Sequence, residues 1–214
     1  MGIKIHGVAF STCTQRIAVA LREKQVPFEL VVVDFANGGH KSPEHLKMQP
    51  FGQVPVLEDD GFFLYESRAV VRYISRKYAG QGTELCPTDL KGAALVEQAA
   101  SVESSNFDAY ASPLVFETVF KKMYGQTTDP ARVAELRQKL EAKLDVYETI
   151  LAKQPYLAGD NLSFADLFHL PYGSMLATGG HGDVITSRPH VKAWFEKLQA
   201  RPSWKETVAA AQQK

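Results

Sequence analysis

Ser11 stands in the run Ser11-Thr12-Cys13-Thr14-Gln15-Arg16, where a strand-like start gives way to a helical pattern. A hydroxyl at such a junction lies beside the positive end of a helix dipole, where anions are stabilised. Taken alone, it also reads as an ordinary N-cap. Gln53-Val54-Pro55 puts a proline at the entry to a strand, which argues against a central strand. A cis Val54–Pro55 bond would reconcile the two, because Val54 would then turn its N–H and C=O toward a ligand paired with the strand edge. A trans proline on an edge strand is the other reading. Glu66-Ser67-Arg68 opens a helix. The Ser67 N–H and hydroxyl offer an anion site and Glu66 a cation site, together matching the zwitterionic end of an amino acid, although capping alone would use the same residues. His40-Lys41 could hold a carboxylate, or could be charges in a solvated loop.

Combined, the four stretches describe a peptide-shaped slot. One end takes an α-amino acid, the middle pairs with a strand edge, and the far end holds a carboxylate. A hydroxyl faces the place where a thiol would fall, and a ligand of that form looks like glutathione. The chain closely resembles the phi-class glutathione transferases, which points first to a plant source and then to a fungal one. The resemblance rests on Pro50-Phe51-Gly52-Gln53-Val54-Pro55, Glu66-Ser67-Arg68-Ala69, His40-Lys41-Ser42-Pro43-Glu44-His45-Leu46, Tyr156-Leu157-Ala158-Gly159-Asp160, Phe164-Ala165-Asp166-Leu167 and Arg188-Pro189-His190-Val191-Lys192-Ala193-Trp194. These runs span nearly the whole length.

The resemblance implies an α+β, thioredoxin-like N-terminal domain, an all-α helical-bundle domain and a homodimer. It implies that Ser11 is the catalytic residue and that His40 and Lys41 hold the glycine carboxylate of glutathione. Val54, before a cis Pro55 and with Gln53 nearby, would pair with the cysteinyl backbone. Glu66 and Ser67 would hold the γ-glutamyl end. Glutathione is then a co-substrate, with no further cofactor. Phe10, Phe35, Phe116 and Phe120 are candidates for the wall of an apolar cleft that takes the second substrate; plain core packing is their other reading. A free cysteine thiol, with a pKa of about 8.5, is mostly protonated at pH 7. A hydrogen bond from Ser11 and the first helix's N-terminus would favour the thiolate, which attacks an electrophilic carbon or a hydroperoxide. Related classes use a cysteine where Ser11 stands. Cys13 is two residues on, roughly 200° around a helix, so it is expected to face away and pack as a small buried hydrophobe. An alternative function is a non-catalytic carrier for flavonoid-like aromatic compounds.

Positioning these residues takes a small α/β layer. Ile3-Lys4-Ile5-His6 alternates as a strand does, and Ile17, Ala20 and Leu21 recur at helical spacing behind Ser11 and Thr12 as caps. Phe28-Glu29-Leu30-Val31-Val32-Val33 reads as a buried strand. Ser42-Pro43 is a cap followed by proline at the first helical position. Val54–Leu57 and Phe62–Leu64 are strands joined by the hairpin signal Asp59-Asp60-Gly61. Val70, Ile74 and Tyr78 share one face of the next helix. Residues 1–78 are therefore the expected first domain, 79–88 a linker, and 89–214 an all-helical domain. In that second part Leu95, Ala99 and Val102 mark a long helix, and Val133, Leu136, Leu140, Leu144, Tyr147 and Leu151 a buried stripe. Ser163 with Asp166 makes a capping-box variant. Val191, Trp194 and Leu198 mark a last helix, ended by Arg201-Pro202.

Bulk composition narrows the setting. Lys plus Arg equals Asp plus Glu at 24 each among 214 residues, so nothing advertises a nucleic-acid or anionic-membrane partner. No run approaches the roughly 18 apolar residues of a membrane span, and the first residues contain no signal-peptide core. Two distant cysteines, Cys13 and Cys86, fit a reducing, cytoplasmic setting. His6, His45, His169, His181 and His190 lack metal-ligand spacing, and there is no nucleotide-binding glycine loop.

Overall fold

The computed structural model describes residues 2–212. It divides into two units, Met1–Leu85 together with Arg201–Lys214, and Cys86–Ala200.

The first unit is a four-stranded mixed sheet with helices. Its elements are β1 (Ile3–Gly7), α1 (Thr12–Glu23), β2 (Phe28–Val32), α2 (Pro43–Met48), β3 (Val56–Asp59), β4 (Phe62–Leu64) and α3 (Ser67–Lys77), and the sheet order is β2-β1-β3-β4. In β1 the pleat turns Ile3, Ile5 and Gly7 inward, leaving Lys4 and His6 half-buried. Ile3 and Ile5, with Ile17, Ala20 and Leu21 of α1 and Val70, Val71 and Ile74 of α3, form this unit's core. β2 differs from the expected buried strand. Among the described residues it pairs only with β1 and lies at the sheet edge, so Val32 is 72% exposed. The β3–β4 hairpin turns at Asp60 and Gly61 with φ of 49° and 86°, the double positive φ that a two-residue hairpin requires. Of the candidate caps, Ser11 is the one used by α1 and Ser42 the one used by α2, with Pro43 in its first turn.

The second unit is all-helical. A continuous helical run from Leu90 to Met123 comprises α4 (Leu90–Val102), α5 (Ala109–Val115) and α6 (Lys121–Met123), joined by wider π-helical turns at Glu103–Asp108 and Phe116–Phe120. α7 (Pro130–Leu151) buries Leu136, Leu140, Leu144, Tyr147 and Leu151, while Val133 is only half-buried. The remaining helices are α8 (Phe164–Phe168), α9 (Leu170–Thr178), α10 (Asp183–Thr186) and α11 (Pro189–Gln199). Asp166 is fully buried and gathers four donors: the Ser163 N–H and hydroxyl at 2.9 Å, the Leu157 N–H at 3.0 Å and Trp194 Nε1–H at 3.0 Å. Beside it the Tyr147 hydroxyl donates to His169 Nε2 at 3.1 Å, and His169 Nδ1–H donates to Ala165 O at 2.9 Å.

The chain does not end its last helix at Arg201-Pro202. Pro202 begins a further helix, α12 (Pro202–Gln212), which packs on α1 and belongs to the first unit rather than to the helical domain expected over 89–214. Proline at a first helical turn gives up only an N–H that would lack a partner. The segment is drawn back by Glu23, a buried carboxylate that accepts from Arg201 Nε at 2.5 Å, Arg201 Nη2 at 2.7 Å, Ser203 Oγ at 2.5 Å and Thr83 Oγ1 at 2.6 Å. Burial alone would raise the Glu23 pKa, but these hydrogen bonds outweigh it and hold the carboxyl below its usual range. Residues 79–85, expected as linker, are likewise tied to the first unit: the Thr83 N–H donates to Glu23 O at 2.8 Å and the buried Lys24 ammonium to Thr83 O at 3.1 Å.

Candidate functional site

Strand register decides which loops meet. β1 and β2 are parallel and end together, Gly7 opposite Val32. β3 is antiparallel to β1 and starts beside that end, His6 opposite Val56, while β4 is antiparallel to β3 and leaves there, Leu57 opposite Leu64. One end of the sheet therefore collects the exits of β1, β2 and β4 and the entry to β3. The segments there carry Ser11, His40-Lys41, Gln53-Val54-Pro55 and Glu66-Ser67.

Ser11 is the N-cap of α1. Its oxygen accepts from the Thr14 N–H at a long 3.4 Å, and its own N–H donates to Val8 O. The cap uses the oxygen as an acceptor, which leaves the O–H free to donate at the dipole's positive end. The Val54–Pro55 peptide is cis, and β3 begins only at Val56. No main-chain hydrogen bond of Val54 is formed among the described residues. His45 fixes this strand entry, its Nε2 lying 2.7 Å from Gln53 O. The side chain of buried Gln49 accepts from the Phe51 N–H at 2.6 Å.

Lys41 is the last residue of a short 3-10 turn, Gly39–Lys41, and donates to Phe51 O at 3.0 Å. Gly52 has φ of +60°, and a Cβ there would lie 2.6 Å from Lys41 Cδ and 3.0 Å from His40 O. Glycine is what lets these two segments close on each other. His40 stacks on Phe35, ring centroids 4.0 Å apart. Burial first, then the charges of Lys41 and His45, lower the His40 pKa, which favours the neutral imidazole.

Glu66 precedes α3 with φ of 66° and ψ of 99°, a conformation that costs a side-chain-bearing residue about 1–3 kcal/mol and typifies ligand-holding sites. Ser67 is buried at the first position of α3, and its oxygen accepts from Arg16 Nη1 at 2.8 Å. The Ser67 N–H lies at the N-terminus of α3, and a guanidinium backs its hydroxyl oxygen. Phe10 and Phe35 lie in the first unit and Phe116 and Phe120 in the second. Phe10, Phe35 and Phe116 are exposed, Phe10 at 54%, and Phe120 is half-buried. Phe10, Phe35 and Phe116 are therefore not core residues.

Residues 1–76 match the family described as Glutathione S-transferase, N-terminal domain, and residues 107–202 its C-terminal domain. Glutathione S-transferase PM239X14 of Arabidopsis thaliana is 49% identical over 197 residues, which is 90% of this chain and 89% of that protein. Glutathione transferase F7 of Populus trichocarpa superposes with a TM-score of 0.95 at 40% identity, over 99% of this chain and all of that one. Glutathione S-transferase I from mais, solved with an atrazine glutathione conjugate, gives 0.92 at 39% identity, over 99% and 98%. The chain belongs to the glutathione S-transferase family, in its phi class.

Three residues of this transferase's site escape a reading of the sequence. Arg16 is fully buried and steadies Ser67 from 51 residues away. His45 and Gln49 hold the turn before β3 from inside. The only local signal for them is a polar residue in an otherwise helical or turn pattern. Cys13 also departs from expectation. It is not a buried hydrophobe but half-exposed, with Sγ 3.6 Å from Arg16 Nη1, so it flanks the Arg16–Ser67 pair. No helix among the described residues is long and apolar enough to cross a membrane.

Proposed function

We propose that this transferase conjugates glutathione to hydrophobic electrophiles, with Ser11 as its catalytic residue. The observation that carries this is the cap geometry of Ser11, which leaves the hydroxyl proton available at the one end of the sheet where all four ligand-type segments converge. The Ser11 O–H donates to the glutathione sulfur, favours the thiolate and lowers the thiol pKa, with α1's N-terminus adding to the effect. Each unit of lowering corresponds to about 1.4 kcal/mol. The thiolate attacks the electrophilic carbon and the leaving group departs; a hydroperoxide would serve as an alternative acceptor.

In this reading Glu66 takes the γ-glutamyl ammonium and Ser67 its carboxylate. Val54 pairs with the cysteinyl main chain, beside Gln53 and Pro55. Lys41 and neutral His40 take the glycine carboxylate, and the exposed rings of Phe10 and Phe35 in the first unit offer apolar surface to the electrophile. Exposed aromatic rings on the first unit, Phe51 at 65%, Phe62 and Phe63, support a homodimer that covers them. Two cysteines without a disulfide support a cytoplasmic setting.

The test is the rate of glutathione conjugation to chlorodinitrobenzene for wild type and Ser11→Ala. The expected result is clear wild-type activity and a loss of roughly tenfold to a thousandfold in the variant. Undiminished activity in Ser11→Ala would overturn the assignment. An inactive wild type that still binds aromatic ligands would make the chain a carrier.

A further inference from the structure

Pro55 has no N–H, so Val54 supplies the only main-chain donor between Gln53 and Val56. That N–H and the C=O of Gln53 belong to one peptide unit. Among the described residues only the Val54–Pro55 bond is cis, so the Gln53–Val54 unit is trans. In a planar trans unit the C=O and the N–H point in opposite directions. Whatever fixes the Gln53 carbonyl therefore aims the Val54 N–H.

His45 fixes that carbonyl. Its Nε2 lies 2.7 Å from Gln53 O, and a carbonyl oxygen only accepts, so Nε2 carries the proton and donates it. The imidazole is itself well held. His45 is buried in the first turn of α2, where its N–H donates to Ser42 Oγ at 3.2 Å and its own carbonyl accepts from the Gln49 N–H at 2.9 Å. The Gln53 C=O is thus drawn toward α2. The Val54 N–H is turned the other way, where it meets no acceptor among the described residues. A strand-entry donor left unpaired, and aimed from behind by a buried side chain, suits a ligand that binds through its own main chain.

We infer that His45 is a positioning residue for glutathione: through the Gln53–Val54 peptide it aims the Val54 N–H at the cysteinyl carbonyl, so this donor is aligned before the ligand arrives. The inference rests on the pairing of Val54 with the cysteinyl main chain proposed above.

The experiment is calorimetric titration of the full-length protein with S-hexylglutathione and with its (E)-alkene isostere. In the isostere a carbon–carbon double bond replaces the cysteinyl–glycine peptide, which removes the carbonyl acceptor without changing the charge. Wild type is expected to bind S-hexylglutathione roughly fivefold more tightly, the ratio for one neutral hydrogen bond. His45→Met removes the donor and should bind the two about equally. His45→Gln, whose amide can donate to Gln53 O, should keep most of the preference. A purely structural role for His45 would weaken both ligands together and leave their ratio intact. A second measurement needs no variant to fold: the Val54 amide proton of wild type, followed by NMR, should move downfield with S-hexylglutathione and not with the isostere. If wild type binds both ligands equally, the pairing at Val54 fails and the inference falls with it. If wild type and His45→Met both show the preference, the pairing stands and the positioning role is overturned. A preference with an unmoved Val54 amide gives the carbonyl another donor and overturns it as well.

Discussion

Ser67→Ala removes the acceptor of the 2.8 Å bond from Arg16 and, at the same stroke, the hydroxyl proposed to face the γ-glutamyl carboxylate. The two losses are separable. Arg16 is fully buried, so its Nη1 loses a charge-assisted bond with no water to replace it. Such bonds contribute about 1.5–3 kcal/mol, and the folded state should weaken by that much. The ligand loses one bond from a hydroxyl to a carboxylate, of similar strength. The KM for glutathione should therefore rise roughly tenfold to a hundredfold. Nothing at Ser67 touches the sulfur, so kcat at saturating glutathione should stay within about twofold, the signature of binding lost equally from ground and transition states. Urea unfolding and steady-state rates at varied glutathione, with chlorodinitrobenzene fixed, measure both quantities. A stability loss with an unchanged KM would make Ser67 a structural residue and refute its place in the ligand site. A large fall in kcat with KM unchanged would refute the division of labour between Ser67 and Ser11.

Other outcomes follow from the same geometry. Asp166→Ala leaves four buried donors without their acceptor and should cost at least about 3 kcal/mol, seen as a lower urea midpoint at unchanged slope. The Glu23 carboxyl has a pKa held below its unfolded value, so its stabilisation is present above the unfolded pKa of about 4.3 and is lost as pH falls through the folded value. Melting curves of wild type and Glu23→Gln should therefore converge as the solution is acidified, and parallel curves would contradict this. Gly52→Ala forces a side chain into positive φ beside Lys41. It should destabilise by about 1–2 kcal/mol and raise the KM for glutathione; an unchanged KM would detach Lys41 from the ligand.

What could be read from the chain was what neighbours within a few residues decide. Ser42-Pro43, Asp60-Gly61, the α7 stripe and the Ser163–Asp166 pair each complete their own hydrogen bonds or face locally, so their residue types suffice. The four candidate segments were visible one by one, because caps and turns advertise themselves, but the β-register that gathers them at one sheet end was not. Arg16 shows the limit: a cation in a helical pattern reads as solvated surface until α3 supplies Ser67. β2 read as a buried strand because its composition is that of one, and only its single partner makes it an edge. Glu66 gives no warning of its positive φ, since the residue type there argues against that conformation.

The return of α12 to α1 has a bearing on synthesis. The helical unit is, in topological terms, an insertion inside the first unit, and the bonds between Glu23 and Arg201 close a span of 178 residues. Closing a flexible loop of that length costs about 4–5 kcal/mol beyond a constant, a cost that falls sharply once the intervening helices have condensed and shortened the effective tether. On the ribosome, the sheet with α1 and α3 would emerge first but wait, its Glu23 side chain without its Arg201 partner, until the last helix is released. The first unit to be translated is thus the last to be completed.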